Sequence, residues 1–105
     1  MARQKPPAPV VKIDFADNGQ DCTTWYVRNR IIIDCEPCLP RTWVGVHVVR
    51  PPLVGQQPRI MTRERQYIDF PCEITGVTEL PREEAELVIA RWKDLMREEL
   101  GSDDA

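Results

Sequence analysis

The sequence predicts an α+β domain: a small antiparallel β-sheet, or partly open barrel, of about five strands packed against one C-terminal α-helix. Three observations carry this. Segments between Val11 and Thr75 alternate apolar and polar residues with a period of two, as strands with one buried face do. From Pro81 the period changes, and Ala85, Val88, Ile89, Trp92, Leu95 and Met96 fall on one helical stripe. Glycine and proline stand at the joints, at Gly19, Pro51-Pro52 and Gly76.

Element by element, residues 1–9 contain three prolines with Arg3 and Lys5 and read as a flexible Pro-rich arm with nothing to bury. A single globular domain is expected over residues 10–100. Val11, Ile13 and Phe15 alternate with Lys12, Asp14 and Ala16 as a first strand, and Asp17-Asn18-Gly19 supply turn chemistry. The stretch DCTTWYVRNRIIIDC is β-branched and aromatic around a polar Arg28-Asn29-Arg30, so it reads as a hairpin. A turn centred on Arg28-Asn29 sets Tyr26 opposite Ile31, Trp25 opposite Ile32 and Cys22 opposite Cys35. TWVGVHVVR predicts a third β segment, with Val44, Val46 and Val48 on one face and Trp43, Gly45, His47 and Val49 on the other. Pro51-Pro52 must end it, because proline has no N–H to give to a ladder.

A loop follows to Arg59, then a short strand from Arg59 to Met61 and another from Gln66 to Thr75. In the latter, Ile68, Phe70, Cys72 and Ile74 alternate with Asp69, Pro71, Glu73 and Thr75, and Pro71 marks an edge or a bulge. Gly76 is expected to close the β region. Pro81 suits the first helical turn, Glu83 and Glu84 the positive end of the helix dipole, and Gly101 the C-terminal cap. Trp92 is expected to be the buried anchor of this helix, and residues 101–105 a disordered acidic tail. Strands of this length and twist curl toward an SH3-like or OB-like barrel.

The composition is that of a soluble globular chain: 105 residues, 42% apolar and 30% charged. A core of that size makes neither metal nor disulfide obligatory. No apolar run approaches the roughly 18 residues that span a bilayer, and MARQKPPAPV lacks a secretion signal's apolar centre, so the expectation is a cytoplasmic protein with no membrane partner. Arginine outnumbers lysine 11 to 3, the bias of GC-rich bacterial codon usage. The net charge of -3 hides a basic middle: from Arg28 to Arg65 seven arginines face Asp34, Glu36 and Glu64, whereas from Glu79 onward nine acids face four bases.

Four cysteines in a chain with no export signal are expected to be thiols or ligands. Cys35-x-x-Cys38 is one knuckle, half of a zinc site, and with Cys22 and Cys72 it makes a four-thiolate zinc site the alternative to a reading with no cofactor. The second knuckle of a zinc ribbon is missing, because Cys22 and Cys72 stand alone. Cys35-Glu36-Pro37-Cys38 also resembles the Cys-Gly-Pro-Cys of thioredoxins. That fold sets the motif at the start of a long helix, whereas here Leu39-Pro40 and a β-branched run follow. The resemblance is confined to four residues, and no thioredoxin function is carried over.

A serine triad is excluded, since the only serine is Ser102 and the only histidine is His47. No phosphate loop, GxGxxG or HExxH pattern occurs. With no assembled catalytic set, the expectation is a non-enzymatic protein-interaction or adaptor module, binding another protein through a sheet edge or the loop from Pro51 to Arg59. The alternative is single-stranded nucleic-acid binding through arginines interleaved with rings, on Arg28, Arg30, Arg41, Trp43, His47 and Arg50. A cysteine-dependent enzyme stands third.

Overall fold

A computed structural model describes residues 9–16, 24–36, 39 and 41–101, with side chains as far as residue 98. Among these residues the chain forms a curled antiparallel half-barrel of seven strands with one C-terminal helix. The strands are β1 (Val11–Phe15), β2 (Thr24–Arg28), β3 (Ile31–Glu36), β4 (His47–Val48), β5 (Arg59–Met61), β6 (Tyr67–Asp69) and β7 (Ile74–Glu79), and the helix α1 is Arg82–Gly101. In the sheet they lie in the order β6-β5-β4-β3-β2-β1-β7: a meander in which the last strand returns to pair with the first. One strand beyond those expected arises because the stretch from Gln66 to Thr75 does not run as one strand. It bends at Pro71-Cys72, and the second half continues through Gly76 to Glu79 instead of stopping at the glycine.

The β2–β3 hairpin turns one residue later than its polar centre suggested. Arg28 pairs with Ile31 and Val27 with Ile32, so the turn is Asn29-Arg30, and both residues have positive φ (52° and 67°). Positive φ at both central positions is the backbone of a type I′ hairpin turn, whose twist matches that of the strands. The register then slips between Tyr26 and Val27, leaving Ile33 as the extra residue of a bulge. Beyond the slip Trp25 faces Cys35, which replaces the expected pairing of Cys22 with Cys35; Cys22 itself lies outside the described residues.

Side chains alternate between two cores. The concave face buries Ile13, Phe15, Trp25, Ile32, Ile60 and Ile74, together with Val46, Val48, Phe70 and both Cys35 and Cys72. Trp25 is fully buried at its centre, its ring 4.6 Å from Phe15, 4.7 Å from Phe70 and 5.4 Å from Trp43. Its indole Nε1–H is buried with no acceptor among the described residues. Trp43 was expected opposite the valines. Residues 41–43 instead form a 3-10 turn, and Gly45 at φ 87° turns the chain, so Val46 and the Trp43 ring reach the concave core, Val44 is buried, and β4 shrinks to His47–Val48.

The convex face carries α1. Val10, Tyr26, Ile33, Ala85 and Val88 form a second buried cluster there. Glu83 and Glu84 occupy the first helical turn as the dipole favours, and the Ala85 N–H donates to the Pro81 carbonyl at 2.9 Å. Trp92 is half-buried at the margin of this cluster, so the anchor of the helix is Val88 and Ala85 rather than the tryptophan. Arg91 ties the helix to β3 by donating to Asp34 at 2.8 Å.

Candidate functional site

At one end of the half-barrel the described residues leave a groove of about 390 Å³. Val11, Val27 and Val48, inward side chains of β1, β2 and β4, line it. Pro9, Pro51 and Pro52 add apolar walls. The last ladder contact before the prolines is the Val49 N–H donating to the Arg59 carbonyl at 2.9 Å. Pro51 and Pro52 then offer no donor and fix their own φ, so the lip is set by covalent geometry.

The polar groups of the groove are Asn29 and Arg30 from the hairpin turn and Arg50 from the end of β4. A short hydrogen bond brings these elements together: the Val48 N–H donates to the Arg30 carbonyl at 2.7 Å. Both arginines are exposed, and Arg50 donates to the Gln57 carbonyl at 3.5 Å. Beyond the lip, Leu53 and Val54 are 54% and 63% exposed, a run of large apolar side chains on the loop expected to bind.

The structure divides the six arginine-aromatic candidates. Arg30 and Arg50 meet at the groove. Arg28 faces Ile31 on the convex side, with its Nε buried and no acceptor among the described residues. His47 also lies on that side, between Ile31 and Met61, and its Nδ1 is 3.1 Å from the Gly45 carbonyl, which can only accept, so Nδ1 carries the proton. Arg41 is exposed on the 3-10 turn, while the Trp43 ring packs 5.9 Å from Phe70 in the core. An exposed ring that was not anticipated is Tyr67, with the Arg59 guanidinium 5.5 Å from its centroid.

Of the cysteines, Cys35 and Cys72 are both buried in the concave core, whereas Cys22 and Cys38 lie outside the described residues. Among the described residues no group of three or more His, Cys, Asp or Glu side chains converges. Tyr26, beneath the helix, donates its hydroxyl to Glu36 at 2.9 Å. Burial, with the hydrogen bond to Glu36 and the negative charges of Glu36 and Asp34, pushes its phenol up to about 12.

The sequence pointed to a sheet edge or the loop from Pro51 to Arg59 as the binding element and did not single out Val11, Val27 or Pro9, which line the groove beside Pro51 and Pro52. Their signal was present only as inward strand positions near a proline stop, and three separate segments had to be brought together to make a groove of them. No protein-family model, curated protein or solved structure matches the chain. No described helix is long and apolar enough to cross a membrane.

Proposed function

We propose that the chain is a small non-enzymatic cytoplasmic interaction module that holds a segment of a partner protein at the open end of its half-barrel. The observation that carries the reading is the groove itself: a recess of about 390 Å³ with an apolar floor and a rigid proline lip among the described residues. Burying apolar side chains there releases water at about 25 cal/mol per Å² of apolar surface, and a preformed lip reduces the ordering cost of association. The exposed Leu53 and Val54 extend the apolar contact available to a partner.

The test is selection of random short peptides against the full chain, followed by affinity measurement on the native protein and on Pro52→Glu. The reading expects peptides that bind the native protein and are lost on Pro52→Glu, a change at a half-buried lip position. Failure to select any peptide, or selection of peptides indifferent to Pro52→Glu, would refute it. The nucleic-acid reading is tested beside it with a labelled single-stranded oligonucleotide, whose binding must fall steeply with salt if phosphates are contacted. Metal and thiol analysis of the native protein tests the zinc alternative on Cys22, Cys35, Cys38 and Cys72.

A further inference from the structure

We propose that the occupant of the groove is an extended partner segment in which apolar side chains are flanked by acidic ones. This rests on the interaction reading above and adds the chemistry of the partner. The floor is apolar, so it rewards apolar side chains and cannot satisfy a buried polar group. The charged residues described in the lining of the groove are both arginines, Arg30 and Arg50, and no carboxylate lies among the described lining residues. A partner with acidic neighbours beside its apolar residues therefore meets complementary charge on entering, which speeds encounter and disfavours basic competitors.

The backbone beneath Arg30 points the same way. It stands at φ 67°, the second central position of a type I′ turn, where glycine carries no steric penalty and an arginine does. Strain held at a ligand-facing position is where functional constraint is expected to override local preference. Here it sets a cation on the lip of the groove.

Other occupants fit less well. A small-molecule site fixes orientation with a few precisely placed polar groups, and the polar side chains here are exposed on the rim. Single-stranded nucleic acid needs rings on which bases stack, and no aromatic residue is among the described residues lining the groove, Trp25 and Trp43 being packed in the core.

The experiment uses three labelled peptides with the same short leucine-valine centre, flanked by aspartates, by serines or by lysines. Binding to the full native chain is followed by fluorescence anisotropy at low and physiological salt. The expected order is aspartate over serine over lysine, with the spread narrowing as salt screens the charges. The double variant Arg30→Glu, Arg50→Glu should weaken the aspartate peptide about tenfold and strengthen the lysine peptide, since each exposed ion pair is small and reversal also adds repulsion. The neutral pair Arg30→Gln, Arg50→Gln should equalise aspartate and serine peptides, and circular dichroism checks that both variants are folded.

Equal binding of aspartate and serine peptides to the native chain overturns this proposal while leaving the interaction module standing. Absence of binding by all three overturns both. Preference for a thymidine oligonucleotide over the aspartate peptide assigns the arginines to phosphate and overturns it as well. So does concentration-dependent self-association abolished by the double reversal, which makes a second copy the occupant.

Discussion

Replacing Arg30 by glycine is predicted to stabilise the protein even though it removes a side chain. A non-glycine residue in the left-handed region costs about 1–2 kcal/mol, and Arg30 lies there at φ 67°. Glycine gives back part of this, because the freer unfolded chain costs about 0.5–1 kcal/mol more to order. The net gain is therefore roughly 0.5–1 kcal/mol, since the hydrogen bond that the Arg30 carbonyl accepts from Val48 is a backbone contact and survives. For a domain of this size about 1 kcal/mol moves Tm by roughly 4–8 °C, so Arg30→Gly should melt about 2–8 °C higher. Thermal melts by circular dichroism, with a urea titration of unchanged slope, measure it. A variant that melts at or below the native temperature would refute the turn geometry. The same substitution should weaken the aspartate-flanked peptide, so stability and binding are predicted to move in opposite directions.

Trp25→Ala should cost about 3–5 kcal/mol or abolish folding, while Trp92→Ala should cost only about 1–2 kcal/mol, because the first ring is fully buried and the second half-buried; chemical denaturation compares them, and equal losses would overturn the placement of the helix. In Tyr67→Phe the remaining tyrosine, Tyr26, should ionise at about 12 by ultraviolet absorbance. Because the folded phenol holds its proton above the ordinary value of 10, its contribution to stability is complete below pH 10 and is lost as pH rises through about 12; the alkaline unfolding midpoint should therefore shift in Tyr26→Phe. A double-mutant cycle on Asp34→Asn and Arg91→Ala should give a coupling of only about 0.2–1 kcal/mol, since the Arg91 side chain is 65% exposed; a coupling several times larger would show that the pair, not Val88 and Ala85, docks the helix.

Periodicity carried the fold class and several elements. Arg59–Met61 appears with the bounds read from the chain, and Val46 and Val48 turn into the concave core. The first part of the helical stripe, Ala85, Val88, Ile89 and Trp92, packs on the sheet, because a period set by covalent geometry survives translation into packing. Register was less legible. The choice between Arg28-Asn29 and Asn29-Arg30 depends on which residue accepts positive φ, and nothing in an arginine's chemistry announces that it will. The bulge at Ile33 compounds the slip and sets Cys35 against Trp25. Trp43 was misassigned because a 3-10 turn has neither of the two periods that were weighed. The groove was hardest to see, since its floor comes from β1, β2 and β4 and its rim from a turn and a proline pair.

The return of β7 to β1 also bears on the order in which the fold assembles. Every other neighbour in the sheet follows its partner along the chain, so hairpin by hairpin the meander can zip through local closures. The β1–β7 pairing spans the whole of that meander and must wait for it, paying the largest loop-closure entropy of any contact in the sheet. Because α1 follows β7 directly, the helix settles over Tyr26 and Ile33 as part of the same late event. β7 and α1 then form the natural unit of partial opening. In native-state hydrogen exchange their amides should lose protection together, ahead of those in β2 and β3.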